Sequence, residues 1–318
     1  MGEEMPRLVI SSDGPAAMPG WRAAFQHVAP DLPLAAWHDP ALEITADDYA
    51  LVWDPTADDL ARMGGMRAII CTGAGVNHLL DNPAFPRHVP LVRMGGEQTA
   101  SLMADYVLWA TLGLLRGART WAVQQNAHRW HNPCTSPRTS SETRVGIMGM
   151  GHLGTHVGGV LLQVGFQVSG WRRSAQVVPG IRTFAGPEQL PDFLRDVDIL
   201  INLLPSTPQT RGMIDYALLA QLPRGAAFIN VGRGDHVVQA DLLRALDEGV
   251  LGGAVLDVME PEPLPPDDPL WAHERVTITP HVASHASQEA QARYVVEVIG
   301  QMERNERPAL LCDPRRGY

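Results

Sequence analysis

The chain has 318 residues, 45% of them apolar and 19% charged, so it can bury more than one hydrophobic core and does not read as disordered. Its formal net charge of −10 argues against a nucleic-acid partner, which wants a positive face; an anionic ligand would need a local positive site instead. Three widely spaced cysteines, Cys71, Cys134 and Cys312, form no CxxC pair and no Cys/His cluster, which points away from a metal site or a disulfide framework.

In chain order, the acidic start Met1-Gly2-Glu3-Glu4 lacks a basic-then-apolar leader. No apolar run approaches the roughly 18 residues of a membrane span, so a cytoplasmic, membrane-free setting is expected. Arg7-Leu8-Val9-Ile10 reads as a strand and Trp21 to Val28 as a helix. Tyr49 to Trp53 and Arg67 to Cys71 are further short strands bounded by Asp, Pro and Gly, and Cys71 reads as a buried thiol. Strands alternating with helices predict a parallel sheet with right-handed crossovers.

From Glu97 to about Gln125 an apolar stripe of Met103, Val107, Leu108, Leu112 and Leu115 predicts one long helix, suited to bridging domains or forming a subunit interface. A Pro- and Ser-containing loop from Asn132 to Ser141 follows. A second α/β unit starts at the strand Arg144 to Met148, with further strands expected at Phe166 to Trp171, Ile199 to Leu204, Ala226 to Val231, Gly253 to Val258 and Val276 to Thr279. A last helix, about Ser287 to Arg304, is expected to return to the first domain. The predicted fold is therefore α/β, two Rossmann-like domains with parallel sheets and an interdomain active-site cleft. Residues 1–96 plus 284–318 would form a flavodoxin-like substrate-binding domain, and 97–283 a dinucleotide-binding Rossmann domain.

Gly149-Met150-Gly151-His152-Leu153-Gly154 follows an apolar strand, opens a helix and precedes a second strand, the context a dinucleotide fingerprint requires. Gly149 would permit the tight turn, Gly151 the approach of backbone to pyrophosphate, and Gly154 the packing of helix on strand. The alternative is a glycine-rich structural turn. Where NAD enzymes usually carry an acidic residue, this chain has Trp171-Arg172-Arg173-Ser174, with Arg172 placed 23 residues after Gly149. Two guanidinium groups and a hydroxyl suit a 2′-phosphate, so NADP(H) is preferred and NAD(H) possible. The alternative is two solvated arginines at a strand end.

Three polar residues recur at the expected C-terminal ends of later strands: Arg233 in Val231-Gly232-Arg233-Gly234, Glu262 in Glu260-Pro261-Glu262-Pro263-Leu264, and His281 in Thr279-Pro280-His281. With Thr72-Gly73-Ala74-Gly75-Val76, the glycine fingerprint, Leu203-Leu204-Pro205-x-Thr207-Pro208-x-Thr210, Pro269-Leu270-Trp271 and the ending Arg315-Arg316-Gly317-Tyr318, this order of motifs resembles the D-isomer-specific 2-hydroxyacid dehydrogenases over nearly the whole chain. Within them it is most similar to the glyoxylate/hydroxypyruvate reductase A group.

The resemblance implies an Arg–Glu–His mechanism. Arg233 would grip a planar 2-oxo carboxylate, His281 would donate a proton to the carbonyl oxygen, and Glu262, preferred over Glu260 on the motif match, would orient the imidazole. Gly73, Ala74 and Gly75 would hold the substrate carboxylate by backbone N–H groups, and Trp53 either walls the substrate pocket or is a packed tryptophan. His152, Leu153, Leu204, Pro205, Thr210, Val231, Gly232, Asp257 and Ser284 join the implied cofactor contacts, Asp257 on the nicotinamide side. His285 either reaches the site or, with Ser284 or Ser287, caps the last helix. A homodimer is expected. The activity implied is reduction of glyoxylate or hydroxypyruvate with NADPH. The alternatives are an NAD(H)-linked enzyme for a larger 2-hydroxy acid and a non-catalytic nucleotide sensor of the same fold.

Overall fold

The structure, a computed structural model, describes residues 6–132 and 138–313; Cys134 and the Arg315–Tyr318 ending lie outside the described residues. The chain divides into two compact units, Met1–Thr99 with Ala286–Tyr318, and Ala100–His285.

The first unit is built on five parallel strands, β1 (Leu8–Ile10), β2 (Leu34–Ala36), β3 (Tyr49–Val52), β4 (Ala68–Cys71) and β5 (Leu91–Val92), in the order β2-β1-β3-β4-β5. That is the flavodoxin-like order, with a switch point between β1 and β3. β1, β3 and β4 are buried throughout, as a parallel sheet covered on both faces requires. One face carries α1 (Met18–Val28), whose Trp21 and Phe25 pack with Ala292, Val295 and Val298 of the returning C-terminal helix. The other packs Trp37, Leu60, Met63 and Val76, around the short helices α2 (Ala57–Arg62) and α3 (Asn77–Leu80).

The expected single helix from Glu97 is two helices. α4 (Glu97–Arg116) stops at Gly117, which adopts φ 68°, and α5 (Ala118–Asn126) restarts after it. Glycine takes that left-handed conformation without steric cost, so it breaks the helix although the apolar pattern runs on.

The second unit carries seven parallel strands: β6 (Arg144–Met148), β7 (Gln167–Arg172), β8 (Arg182–Ala185), β9 (Ile199–Asn202), β10 (Ala226–Asn230), β11 (Leu251–Leu256) and β12 (Val276–Ile278). Their order is β12-β11-β10-β9-β6-β7-β8, so the chain runs outward from β6 in one direction, then returns to extend the sheet in the other. The reversal lies between β6 and β9, where doubly wound sheets bind ligands beyond the strand ends. Helices α6 (His152–Val164), α7 (Leu190–Leu194), α8 (Tyr216–Leu219) and α9 (Gln239–Asp247) form the crossovers. One core gathers Phe193, Leu200, Phe228 and Leu246, the other Val107, Ile147, Ile201 and Ile229. The last helix, α10 (Gln288–Glu303), belongs to the first unit and is capped by Ser287, whose hydroxyl accepts from the Ala290 N–H. Ser287 thus takes the capping role that had been open among Ser284, His285 and Ser287.

Candidate active site

Most of the residues singled out in the second unit sit in loops following its parallel strands. Gly149 and Gly151 follow β6, Arg173 and Ser174 follow β7, Leu204 and Pro205 follow β9, Arg233 follows β10, Glu262 follows β11 and His281 follows β12. This common placement comes from parallelism: every strand delivers its C-terminal end to one edge of the sheet.

The β6–α6 turn is shaped as a cradle. Gly149 has φ 104°, and a Cβ there would run into the Leu203 carbonyl; a Cβ on Gly154 would run into the Gly149 carbonyl. A Cβ on Gly151, by contrast, would meet open space. Gly151 is the N-cap of α6 and supplies no side-chain bond, so the helix presents backbone N–H groups and the positive end of its dipole at this turn. These features fit the pyrophosphate of a dinucleotide.

The neighbouring β7 end needs one correction. Trp171 is buried, and its indole N–H donates to the Gly186 carbonyl at 2.8 Å, so this side chain belongs to the core. Strand alternation turns the next residue the other way: Arg172 is half-buried and hydrogen-bonded to Gln176, while Arg173 and Ser174 are exposed. Thr210 also has a structural employment. Its hydroxyl bonds the Pro205 carbonyl at 2.8 Å and receives the Thr207 N–H at 2.9 Å, tying the β9 loop together.

His281 and Glu262 are brought together: imidazole Nδ1 lies 2.8 Å from Glu262 Oε2. The other carboxylate oxygen of Glu262 accepts the Met259 N–H at 2.9 Å, which fixes the carboxylate from behind. No such bond reaches His281 from Glu260 among the described residues. His281 has φ 55°, a left-handed conformation uncommon for a non-glycine residue, and Asp257 explains how it is held. Buried Asp257 accepts Thr279 Oγ1 at 2.6 Å, the Val282 N–H at 2.9 Å and the Ala283 N–H at 2.9 Å, and its carbonyl receives the His281 N–H at 2.8 Å. Tyr106 Oη lies 2.5 Å from Thr279 Oγ1 and ties this loop to α4; burial pushes its phenol up to about 12. Tyr106 was not singled out from sequence, where an interior helical Tyr carries no distinguishing pattern, and Thr279 was quoted only as part of the Thr279-Pro280-His281 motif, without a role of its own.

In the first unit, Trp53 follows β3 and is 37% exposed. Its ring lies where a Cβ on Gly73 would be, and it is tilted against His78 with ring centroids 4.7 Å apart. His78 Nε2 bonds the Trp53 carbonyl at 2.7 Å, a second support that the sequence did not announce. The Gly73 N–H is turned back to Cys71 Sγ at 3.4 Å, and the Gly73 carbonyl receives the Met94 N–H. Of the three amides expected to bind a carboxylate, Gly73 is therefore already used within the chain. Arg93 donates to the Ala74 carbonyl at 3.4 Å, placing a guanidinium beside the same loop.

Among the described residues no group of three or more His, Cys, Asp and Glu side chains is gathered for a metal ion, and no helix is long and apolar enough to cross a membrane.

A doubly wound parallel sheet with a glycine-lined nucleotide turn, and a His–Glu pair and an arginine at its strand ends, defines a dinucleotide-binding oxidoreductase. Residues 108–283 match the family model described as D-isomer specific 2-hydroxyacid dehydrogenase, NAD binding domain, and the chain belongs to that family. Solved structures similar to it over its length include the following three. A D-isomer specific 2-hydroxyacid dehydrogenase from Xanthobacter autotrophicus Py2, in complex with NADPH and MES, is 38% identical, with 99% of this chain and 100% of that one covered and a TM-score of 0.91. An NADPH-dependent glyoxylate/hydroxypyruvate reductase from Sinorhizobium meliloti, in complex with NADP and sulfate, is 35% identical with the same coverage and a TM-score of 0.88. A protein from Rhizobium etli CFN 42, solved with NADP, HEPES and L(+)-tartaric acid, is 33% identical, again with 99% and 100% covered, at a TM-score of 0.89.

Proposed function

We propose that this enzyme reduces small 2-oxo acids, glyoxylate and hydroxypyruvate foremost, to 2-hydroxy acids with NADPH. The observation that carries the reading is the 2.8 Å contact between His281 Nδ1 and Glu262 Oε2, on loops at the same sheet edge as Arg233 and the nucleotide turn. The Xanthobacter and Sinorhizobium relatives, solved with NADPH and NADP, support NADP(H) as the cofactor. The Gly149–Gly154 turn would hold its pyrophosphate, and Arg172, Arg173 and Ser174 its 2′-phosphate. When bound, NADPH supplies the hydride.

The chain's own groups do the rest. A carboxylate only accepts, so Glu262 holds a proton on Nδ1 of His281 and leaves Nε2 as the position that delivers a proton to the substrate carbonyl oxygen. Arg233 binds the substrate carboxylate and polarises the adjacent carbonyl. In the first unit, Ala74 and Gly75, by their backbone N–H groups, and Trp53 are kept as proposed substrate-binding residues. The test is NADPH oxidation with glyoxylate, hydroxypyruvate, pyruvate and phenylpyruvate, repeated with NADH. Turnover should favour NADPH and the two small acids, and His281→Ala should lower kcat by about 10²–10⁴-fold. NADPH binding without turnover of any 2-oxo acid would sink the enzymatic reading and favour a nucleotide sensor.

We also propose that the protein is a homodimer. Trp109 of α4, Trp121 of α5 and Trp130 just beyond are exposed by 50%, 49% and 104%, and α5 buries none of its residues, which supports a second copy covering this stretch. Light scattering on the purified protein would test it, with a monomer at micromolar concentration as the contrary result.

A further inference from the structure

Below the Arg233 loop lies a polar cluster with no part in the reaction just described. Asn202 and Asn230 are the last residues of the adjacent strands β9 and β10, and His236 follows β10 by a short turn. All three are buried to within 1% exposure. Their bonds run in one direction. Asn202 Nδ2 donates to His236 Nδ1 at 2.9 Å and to Asn230 Oδ1 at 2.8 Å, while Asn202 Oδ1 accepts the Leu204 N–H at 3.2 Å. Asn230 in turn accepts the Gly232 N–H at 3.2 Å and donates from Nδ2 to the Arg233 carbonyl at 3.1 Å.

Each link fixes the next. An amide nitrogen only donates, so the Asn202 contact requires the lone pair of His236 Nδ1 and a neutral ring. With Nδ1 as acceptor, Asn202 cannot flip its amide; with Asn202 donating to its oxygen, Asn230 cannot flip either. Asn230 then presents an acceptor to Gly232 and a donor to Arg233, the two residues that set the course of the loop. Gly232 is required by the same packing, since a Cβ there would lie 2.8 Å from Asn202 Nδ2 and 3.2 Å from His236 Nδ1. The Arg233 guanidinium bonds the Gly232 carbonyl at 2.7 Å, so the path of this loop carries directly into where the guanidinium points. Around the ring stand Asp235, whose Oδ1 is 3.7 Å from Nε2, and the Pro205 carbonyl, so the cluster also touches the loop after β9.

We propose that His236, Asn202 and Asn230 are positioning residues, a relay of amide orientations that aims Arg233 at the carboxylate of the 2-oxo acid. The proposal rests on the reading of Arg233 as the carboxylate-binding group.

The test compares Asn230→Asp, His236→Leu and His236→Gln with wild type, reading KM and kcat for the 2-oxo acid and, separately, Kd for NADPH by fluorescence. Asn230→Asp keeps size but removes the donor to the Arg233 carbonyl; His236→Leu removes the acceptor for Asn202; His236→Gln can restore one. The first two should raise KM for the acid about tenfold or more with NADPH Kd within about twofold of wild type, and His236→Gln should recover most of the loss. Wild-type KM in both, or equal effects of His236→Leu and His236→Gln, overturns the relay. If His236→Leu fails to fold, Asn230→Asp and His236→Gln carry the comparison alone. Arg233→Lys is measured beside them. An unchanged KM there overturns the reading of Arg233, whereas a raised KM there with wild-type Asn230→Asp overturns only the relay.

Discussion

The two units solve one problem, how to hold a loop at the end of a parallel strand, by different means. In the second unit the loops rest on buried polar groups: Asp257 under His281, and Asn230 and His236 under Arg233. In the first, among the described residues, the Gly73–Gly75 loop has no buried polar side chain of that kind beneath it: backbone bonds from Met94 and to Cys71 Sγ fix Gly73, and the Trp53 ring, with His78 behind it, fills the space a side chain at position 73 would need. Both loops are glycine-bearing, but the glycines answer to different constraints. Gly149 is demanded by its own backbone, with φ 104° and a carbonyl beside it, whereas Gly73 is demanded by a neighbouring ring. A backbone constraint is rigid, and a ring can move. Loops of the first kind should therefore fail abruptly on substitution, and loops of the second kind should adjust.

The largest difference should appear at Gly149. Gly149→Ala combines a left-handed backbone with a clash against main chain, and should cost ~2–5 kcal/mol and abolish measurable NADPH binding. Denaturant unfolding with a fluorescence titration checks both, and near-wild-type NADPH affinity would break the distinction.

A second difference concerns acid. Burial, the leading cause, pushes the His236 imidazole down to about 4, with Arg233 acting in the same direction and Asp235 against. The unfolded chain, at its ordinary value near 6.5, then takes up the proton first as pH falls. Stability from this group is full above about pH 6.5 and is lost between there and about pH 4, at most ~3 kcal/mol. Chemical unfolding at pH 7 and pH 4.5 should show that loss in wild type and less of it in His236→Gln; parallel losses in both proteins would remove His236 as the cause.

The smallest effect is expected at Gly73. Its substitution by Ala meets first the edge of the Trp53 ring, with the Gly75 carbonyl farther off at 3.2 Å, so ~1–2 kcal/mol of stability should be lost, with KM for the acid raised and NADPH binding unchanged. Removing the ring as well, in Gly73→Ala with Trp53→Ala, should recover part of the loss if the contact is the reason for the glycine.

What was legible in the sequence follows the same division. The glycine fingerprint and the long buried strands were readable because local spacing carries them: β6, β9 and β10 are apolar runs ended by turn residues. The strands β2, β5 and β8 were not, since β2 and β8 are partly exposed edge strands and β5 has only two residues, so none carries a sustained buried run. Gly117 was hidden inside an unbroken apolar pattern, and only its φ reveals the helix end. Of the proposed site, Arg233, Glu262 and His281 were singled out through motif order, and of the two carboxylates weighed it is Glu262 that contacts His281. Trp171 was grouped with the arginines after it, although the pleat sends it inward. Asn202, Asn230, His236 and His78 look in sequence like ordinary polar residues at strand ends and loops. Their meaning lies in partners from 2 to 34 residues away, or in a neighbouring loop, which no local pattern encodes.

The bend at His281 has a further consequence. Asp257 matches its two carboxylate oxygens to a hydroxyl and two amides of the chain itself, so the turn acquires its shape while the protein folds. In the proposed role of proton donor, an imidazole mounted on such a turn would have its dipole oriented before any charge develops beside it. The cost of that readiness is met once, in the folding of each molecule, and not again at each encounter.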